Sequence, residues 1–346
     1  MRLDTRPSEA RAVTVVIACH DQERLHHLEA AVRSVQLQEP SPEAIVITVD
    51  HEPTLHRMLV ERFPELRVVE NKFQRGASGN RNTGALSATT PYIAFLDDDA
   101  RARPGWLGTL VEPFDDPDVV ATGGLVKAAW ETQEPAWFPQ ELAWVVGASF
   151  RGLPTEQADV RNVWGENMAV RSDVFHAVGG FRQDFGKLGH VSRPEDTDLC
   201  IRMGKTSANA RLKYVPTAVV DHFVGAERSR FQYFLKRSYF EGRGKVELAR
   251  INGGNDDLGD EGAYLRGTIP QGVVRYIRQG VATRDANEFY RAGAVVAGIA
   301  SAGAGAAISL LSDRKHSDGP AEPVPSLLSD HIHSNDPVEP VPAKVA

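Results

Sequence analysis

The sequence predicts an α/β fold in which a mostly parallel central sheet is flanked by helices. Short apolar runs rich in β-branched residues alternate with stretches whose apolar residues recur at helical spacing. Strands separated by helices need right-handed crossovers, which make neighbouring strands parallel. The chain has 346 residues, of which 42% are hydrophobic and 25% charged, and this suits one large soluble domain with appendages.

The N-terminal part of the chain carries the clearest strand and helix signals. Apolar runs predict strands at residues 13–18, 44–49, 66–69 and 92–96. Two helical stripes lie between the first three strands, formed by Leu25, Leu28, Val32 and Val35 and then by Leu55, Met58 and Leu59. Ligands of such sheets bind at the carboxyl ends of the strands, so polar residues just after a strand are the first candidates for function.

Beyond Gly123 the pattern is less regular. The later predicted elements are helices at residues 172–178, 195–203 and 231–248 and strands at 212–215 and 218–220. We expect Ser172 to cap the first of these helices and Pro194 to be the first residue of the second. Five aromatic residues crowd the irregular stretch, where they either line a cleft, fill a lid or pack beneath a long loop: Trp130, Trp137, Phe138, Trp144 and Phe150.

The C-terminal part differs from the rest in composition. Residues 292–311 contain no charge and are long enough to span a bilayer, but they are mostly Ala and Gly. This composition favours a helix that packs on the domain or lies at a membrane surface. The tail beyond is rich in Pro, Ser and Asp and is predicted to be disordered, with its histidines solvated: His316, His331 and His333.

These observations predict the organisation of the chain. It comprises a flexible N-terminus at 1–11, one domain at 12–250 with halves at 12–125 and 126–250, a helical extension at 251–312 and a disordered tail at 313–346.

Composition excludes several classes of function. The net charge of −7 argues against a nucleic-acid partner, because proteins that bind nucleic acid usually carry a basic surplus. Cys19 and Cys200 are expected to be small buried thiols, since they form neither a disulfide framework nor a zinc pattern. With a polar N-terminus that lacks an apolar leader, this predicts a cytoplasmic protein.

Asp97, Asp98 and Asp99 follow the predicted strand at 92–96. Three adjacent carboxylates repel one another unless a cation or solvent relieves the charge. At the end of a buried strand a divalent cation is a natural partner, since Mg²⁺ and Mn²⁺ prefer carboxylate oxygens and often bridge to phosphates. The alternative is a solvated acidic turn.

Further polar residues follow other predicted strands or open predicted helices. Asp50 closes the strand at 44–49, where it can accept hydrogen bonds from a nucleobase or ribose or can simply form a turn. The small, polar segment from Gly76 to Gly84 opens a helix, and its amides together with Arg81 can approach a phosphate, although the P-loop pattern is absent.

Glu195 and Asp196 begin a predicted helix, whose positive end is expected to keep them ionised and able to act as a general base. Helix capping uses the same residue types. His222 follows the strand at 218–220, where it can bind a metal or a phosphate or serve the fold.

Taken in order, these motifs resemble the inverting glycosyltransferases of family 2, whose fold is called GT-A. The resemblance covers about residues 13–248 and is carried by VTVVIACHDQ, IVITVD, GASGNRNTGALSATTPYIAFLDDDA, NVWGENMAVRSDVFHAVGGF and PEDTDLCIRM. The most specific mark is FLDDDA at a strand end, followed about a hundred residues later by a Glu-Asp pair.

The resemblance implies a nucleotide-diphosphate sugar donor and a divalent metal, Mg²⁺ or Mn²⁺. The nucleotide sugar would be bound by Ala18, His20, Asp21, Asp50, Gly76, Arg81, Asp97 and Asp98. The metal would be held by the DXD pair Asp97 and Asp99, of which Asp99 is the better candidate, and by His222. Asp196 would be the catalytic base, with Glu195 beside it.

Two departures from the family pattern fall in the nucleotide pocket. The usual Pro-Thr-Tyr-Asn stretch is replaced by residues 18–21, and Asp50 is followed by His51 instead of a second acid. They leave the identity of the base open, although a UDP-sugar is expected. The QxxRW motif of processive members is absent, which predicts transfer of a single sugar.

The stretch from WFPQELAWVVG, residues 137–147, through RSYFEGR, residues 237–243, also resembles a subgroup that glycosylates polyprenyl-phosphate-linked sugars. A sugar or a lipid-linked saccharide of the cell envelope is therefore the expected acceptor, reached at the inner face of the cell membrane.

Two other functions remain open from the sequence. A sugar-nucleotide nucleotidyltransferase would use a similar sheet and metal, but it would place a Gly-rich basic loop after the first strand, where residues 18–23 contain no glycine. A non-catalytic sugar- or lipid-binding module would not need Asp97, Asp99 and Asp196 together.

A peripheral membrane contact is predicted through the helix at 231–248, which mixes aromatic and basic side chains, together with residues 292–311.

Overall fold

The computed structural model describes residues 11–188, 191–251 and 262–312. Residues 1–10 of the predicted flexible N-terminus and the predicted disordered tail, with its three histidines, lie outside the described residues.

The N-terminal half of the sheet consists of four parallel strands in the order β3, β2, β1 and β4. Their bounds are β1 Val13–Cys19, β2 Ala44–Val49, β3 Arg67–Glu70 and β4 Tyr92–Asp97. Each pair in this row runs parallel. All four predicted strands are confirmed to within one residue at each end. β1, β2 and β4 are apolar runs buried between two helical layers, whereas β3 is a partly exposed strand at the edge of the sheet.

The remaining strands continue the sheet in the order β8, β6, β11 and β5, and β7 pairs with β11. Their bounds are β5 Ala100–Ala102, β6 Val119–Trp130, β7 Ala158–Val160, β8 Asn167–Arg171 and β11 Arg211–Val224. β8 lies antiparallel between β4 and β6, whereas β6 and β11 are parallel. A separate hairpin pairs β9 Gly186–Leu188 with β10 Val191–Arg193.

Two expectations about this region were wrong. The stretches at 212–215 and 218–220 are one strand, β11, with an irregularity between Val215 and Val219. Pro216 lies in the irregularity, where its missing N–H interrupts the ladder without ending the strand. The stretch after Gly123 contains the long strand β6, whose outer half has no clear apolar alternation.

Helices cover both faces of the sheet. Their bounds are α1 Leu25–Gln36, α2 Pro53–Arg62, α3 Ala77–Leu86, α4 Trp106–Val111, α5 Ser172–Ala177, α6 Glu195–Gly204, α7 Phe231–Ile251, α8 Ile269–Thr283 and α9 Ala286–Ser312. The two predicted caps are shifted by one residue. Extended Arg171 is the N-cap of α5 and Ser172 its first residue, while Pro194 is the N-cap of α6.

The sheet buries one apolar cluster on each face. One lies beneath α1, α2 and α4, and the other beneath α3, α5 and α6. Cys19 and Cys200 are buried free thiols, as predicted. The indole nitrogen of buried Trp106 donates to the Asn167 side chain over 2.7 Å, which ties α4 to the start of β8.

The C-terminal helices form a third cluster with the 3₁₀ helix Gln140–Val146 and with α7. Residues 262–312 therefore pack on the rest of the molecule through their own apolar residues. Among the described residues one helix, Ala286–Leu311, is long and apolar enough to cross a membrane by length and composition. Only 28% of its most apolar window is buried.

Candidate active site

The carboxyl ends of β1, β2 and β4 lie side by side because these strands are parallel. α3 begins at the same edge, and α6 brings Glu195 and Asp196 to it from the other half of the chain. Residues that are far apart in the sequence therefore meet in one place.

Arg81 lies at the centre of this meeting point. Its Nη2 donates to Asp97 Oδ1 over 2.7 Å, and its Nη1 lies 3.4 Å from Glu195 Oε1 and 3.9 Å from Asp196 Oδ1. The side chain is only 8% exposed. Burial alone would lower the pKa of Arg81, but the three carboxylates raise it above its ordinary value, so the guanidinium stays charged. One buried cation thus joins the acidic triplet to the Glu-Asp pair.

The position of Glu195 and Asp196 at a helix start predicted that both carboxylates stay ionised. Their burial opposes ionisation instead. Burial, with the charge of Asp196, raises the pKa of Glu195 to about 7, although Arg81 opposes the shift. Burial also raises the pKa of Asp196 against the attraction of Arg81. Desolvation therefore outweighs the helix dipole, whose effect at a terminus is small. A carboxylate with a raised pKa is a stronger base.

Asp196 Oδ1 is buried and has no hydrogen-bond partner among the described residues. Gly165 packs directly against this oxygen: a Cβ at that position would lie 2.8 Å from Asp196 Oδ1 and 3.0 Å from Arg81 Cζ. The backbone at Gly165 thus fits closely against the pair, and only glycine leaves room for it.

Arg24, which the sequence analysis missed, contacts two members of the acidic triplet. Its Nη2 lies 2.9 Å from Asp98 Oδ1 and also pairs with Asp99 Oδ2. Burial and the neighbouring carboxylates raise the pKa of Asp98 to about 7, although Arg24 lowers it. Side chains of the protein, and not only a bound cation or solvent, therefore relieve the repulsion within the triplet.

His222 and Asp99 contact each other across β11 and β5. Their Nε2 and Oδ1 atoms are 3.4 Å apart. Burial would raise the pKa of Asp99, but the hydrogen bond from His222 and the charge of Arg24 hold it below its ordinary value. Burial would lower the pKa of His222, but Asp99 raises it. His222 Nδ1 is buried without a hydrogen-bond partner among the described residues.

The predicted metal ligands fit a cation that is shared with a substrate. In the part of the chain that the structure describes, no group of three His, Cys, Asp or Glu side chains forms a metal site by itself. Asp97, Asp99 and His222 do line the same cleft with oxygen and imidazole donors, and Asp97 is 29% exposed. Mg²⁺ is commonly bound by one or two carboxylates together with substrate phosphates, and such a site would not be complete in the protein alone.

The residues predicted for the nucleotide pocket lie along the same edge, and three of them also organise the chain. Asp50 accepts from Asn71 Nδ2 over 2.7 Å and from the Gly76 N–H over 2.8 Å, which fixes the loop before α3. Gly76 has φ of +137°, a backbone conformation that favours glycine. Asp21 accepts from the Glu23 N–H and so caps a short 3₁₀ helix.

Ala18 and His20 complete the predicted nucleotide-binding set. Ala18 is paired with Asp97 across β1 and β4, and exposed His20 follows β1.

A large cleft of about 1380 Å³ opens beside these residues. Its acidic wall contains Arg81, Asp97, Asp99, Glu166, Glu195, Asp196 and His222. The cleft is also lined by aromatic and basic side chains, and these are Trp144, Phe150, Trp164, Tyr214, Tyr233, Phe240, Tyr264, Arg161, Arg228, Lys236, Arg237 and Lys245.

The crowded aromatic residues divide between two of the expected roles. Trp144 and Phe150 line the cleft. Phe138 is buried, and Trp137 packs edge-on against Phe231 and Phe234.

Helix α7 also differs from its expected orientation. Five of the aromatic and basic residues that were expected at a membrane surface line the cleft instead, namely Tyr233, Lys236, Arg237, Phe240 and Lys245. Phe234 is fully buried, and Arg237 donates to Glu241 over 2.8 Å. Close packing of α9 along α7 fixes the orientation of this mixed face.

Glu166 is a further acidic residue that the sequence analysis did not select. Burial, together with Asp97 and Asp196, raises the pKa of Glu166 to about 8. A signal was present in the sequence, because Glu166 stands directly between Gly165 and Asn167. Asn167 Nδ2 donates to the backbone oxygens of Leu125 and Ala218, which holds this segment at the base of the cleft.

Comparisons with known proteins agree with this architecture. The model of glycosyl transferase family 2 matches residues 14–179. The chain is 34% identical over 260 residues to the glucosyl-dolichyl phosphate glucuronosyltransferase of Haloferax volcanii, covering 73% of this chain and 82% of that protein. It is also 30% identical over 186 residues to the pre-mycofactocin glycosyltransferase of Mycobacterium tuberculosis. The matched residues cover 54% of this chain and 37% of that protein.

The fold is similar to that of a solved mannosyltransferase from Pyrobaculum calidifontis in complex with GDP-Man and Mn²⁺. The TM-score is 0.55 at 16% identity, and 87% of each chain is covered. The predicted GT-A fold is confirmed. Family membership decides against the nucleotidyltransferase and the non-catalytic module. The chain belongs to glycosyltransferase family 2 and is a glycosyltransferase.

Proposed function

We propose that this chain is an inverting enzyme that transfers a single sugar from a UDP-sugar to a hydroxyl group of a lipid-linked saccharide. The observation that carries the proposal is the position of Asp196. Asp196 lines a large cleft, its Oδ1 has no hydrogen-bond partner in the described part of the chain, and Arg81 connects the residue to Asp97 of the acidic triplet. A base and a diphosphate-binding segment are thereby held next to each other.

On the donor side, the leaving diphosphate would lie against Asp97, Asp99 and His222. A Mg²⁺ or Mn²⁺ ion held there would neutralise the charge of the diphosphate. Arg81 keeps Asp97 in place through its hydrogen bond, and Arg24 does the same for Asp98 and Asp99. Held in this way, the carboxylates need little reorganisation when the donor binds.

On the acceptor side, Asp196 would take the proton from the attacking hydroxyl group. Its raised pKa suits this task, because a general base works best when its pKa approaches the working pH. The hydroxyl oxygen would form a bond to the anomeric carbon while the bond to the diphosphate breaks on the opposite face. A single displacement of this kind inverts the anomeric configuration.

The nature of the cleft supports a large acceptor that carries a phosphate. Its lining includes aromatic rings, which suit the faces of sugar rings, and basic side chains, which suit phosphate. The Haloferax relative is named for an acceptor of this chemical class, a glucosyl-dolichyl phosphate. We place the enzyme on the cytoplasmic side of the membrane, where nucleotide sugars would be its donors.

A transfer assay with defined substrates tests this function. Purified protein would be incubated with UDP-, GDP- and TDP-sugars, with Mn²⁺ or Mg²⁺, and with a short-chain prenyl-phosphate-linked glucose. We expect transfer from a UDP-sugar, with an inverted anomeric configuration by NMR. Asp173→Asn is the matched control for Asp196→Asn, because Asp173 is an exposed first-turn carboxylate of α5. A product with retained configuration, or equal activity of both variants, contradicts the proposal.

A further inference from the structure

The outer face of the C-terminal helices is unusual for a protein surface. Ten of the thirteen large apolar side chains that are exposed in the described part of the chain lie between residues 265 and 311. A surface helix of a soluble protein normally turns polar residues outward. On α9 the exposed positions instead form an unbroken apolar stripe, made of Phe289, Gly293, Val296, Ala300, Ala304, Ala307 and Leu311.

The stripe is long and continues onto the neighbouring helix. From Phe289 to Leu311 it extends for about 33 Å at the rise of an α-helix. On α8 the exposed residues Val274, Ile277 and Val281 share one face at helical spacing. We name this combined surface, formed by the stripe on α9 and these three residues of α8, the C-terminal apolar face.

The charge of the same segment is opposite to that of the whole chain. Residues 262–312 contain five arginines and two acidic residues, a net charge of +3, whereas the chain as a whole carries −7. Arg266, Arg278 and Arg284 are exposed. Arg278 lies on α8 directly beside the apolar row. A basic rim around an apolar face is complementary to an anionic lipid surface, where the cations meet headgroups and the apolar side chains meet acyl chains.

The packing of α9 excludes a simple crossing of the bilayer. A Cβ at Gly242 of α7 would lie 1.9 Å from Ala302 O, and a Cβ at Gly305 would lie 2.0 Å from Tyr239 O. Two glycines thus let the backbones of α7 and α9 touch, and Ser301 Oγ donates to Leu235 O over 2.8 Å. Because α7 also lines the cleft, α9 would have to leave the enzyme domain in order to span a membrane.

The cleft opens at the edge of this surface. Ile299, Ala302, Gly303 and Ala306 of α9 line the cleft, and Gly303 is also exposed at the side of the stripe. Leu265, which is 47% exposed, lines the cleft as well. A lipid-linked acceptor could therefore keep its sugar in the cleft while its chain remains in a bilayer that covers the stripe.

We propose that the C-terminal apolar face lies flat on an anionic membrane, with α9 as an interfacial helix that sets the mouth of the cleft at the bilayer surface. This deepens the proposed function, since it rests on a lipid-linked acceptor. The predicted membrane contact through α7 is thereby replaced by one through α8 and the outer side of α9.

Vesicle flotation of the full-length chain, without substrates, tests the surface separately from catalysis. We expect binding to phosphatidylcholine vesicles that contain phosphatidylglycerol, weaker binding to phosphatidylcholine alone, and release as salt is raised. Val296→Glu should reduce binding about tenfold or more, since it replaces apolar area by a charge. Arg278→Gln should reduce binding about fivefold, and only on anionic vesicles.

Val60→Glu on α2 is the matched control, because Val60 is 45% exposed and Val296 is 58% exposed. The control should float like the original chain, and all variants should keep the original melting temperature and transfer to a water-soluble acceptor. A chain that stays in the soluble fraction at low salt overturns the inference. So does a dimer by light scattering that Val296→Glu converts to a monomer, since a second copy would then cover the face. Loss of transfer with intact flotation would reject the proposed function but not this surface.

Discussion

Replacing Arg81 with glutamine is expected to destabilise the fold far more than exchange of a surface arginine. Arg81 is 8% exposed and lies within 3.9 Å of Asp97, Glu195 and Asp196. Removal of one partner from a buried ion pair leaves charge without compensation and typically costs about 3–5 kcal/mol. For a domain of this size, that corresponds to a fall in melting temperature of about 6–20 °C.

The loss should depend on pH. The folded pKa of Glu195, about 7, lies above its ordinary value of 4.5, and the pKa of Asp196 is also raised. A carboxyl group of this kind favours the folded state while protonated, and this contribution is lost as pH rises from the unfolded toward the folded pKa. Without Arg81 the ionised pair has no attractive cation, so the variant should lose most stability above about pH 7 and least near pH 5.

Thermal unfolding by circular dichroism, at pH 5 to 8 and in EDTA, measures this effect. Arg62→Gln is the matched control, because Arg62 pairs with Glu29 over 2.9 Å but is 63% exposed, and such pairs contribute about 0–1 kcal/mol. If the two variants melted together at pH 8, or if the difference between them did not grow with pH, the role given to Arg81 would be refuted.

Four further outcomes are expected. Asp196→Asn should lower kcat by about 10²–10⁴-fold while donor affinity, measured by calorimetry, is kept, whereas a collapse of affinity with normal turnover would make Asp196 a binding residue. Gly165→Ala should lower kcat by about tenfold or more with a small change in melting temperature, because its Cβ would lie 2.8 Å from Asp196 Oδ1 and displace that carboxylate. Unchanged kinetics would show that the backbone at residue 165 can shift without moving Asp196. Asp99→Asn should abolish most turnover and also destabilise the fold by melting, since Arg24 and His222 lose their shared partner; full activity in EDTA would remove the metal from the proposal. In the original enzyme kcat should rise with pH up to and through the raised pKa of Asp196, and a profile that is flat from pH 4 to 8 would exclude it as the base.

The nucleotide half could be read from the sequence because its signals are local. β1, β2 and β4 are contiguous apolar runs that end in turn or polar residues, and β3 contains a shorter pair of valines. The acidic residues after β4 and at the start of α6 were recognisable for the same reason, since parallel strands end at one edge and a helix start faces it.

The acceptor half was harder to predict because its order depends on contacts between distant segments. β8 is a short strand inserted antiparallel between β4 and β6, a position that no local pattern specifies. Arg24 and Glu166 escaped notice for the same reason. Arg24 pairs with Asp98 and Asp99, which are distant in the sequence. Glu166 becomes a site residue only when β8 places it near Asp97 and Asp196.

The sequence by itself determined the family, the sheet of the nucleotide half and the carboxylates of the candidate site. These features depend on short motifs and on the local spacing of apolar residues. Only the tertiary structure decided the charge state and neighbours of those carboxylates. Their pKa values depend on burial and on Arg81, which adjacent sequence does not encode. The tertiary structure also decided which side of α7 faces the cleft. That orientation follows from the close backbone contact of α7 with α9, made through glycines whose role appears only when the two helices meet.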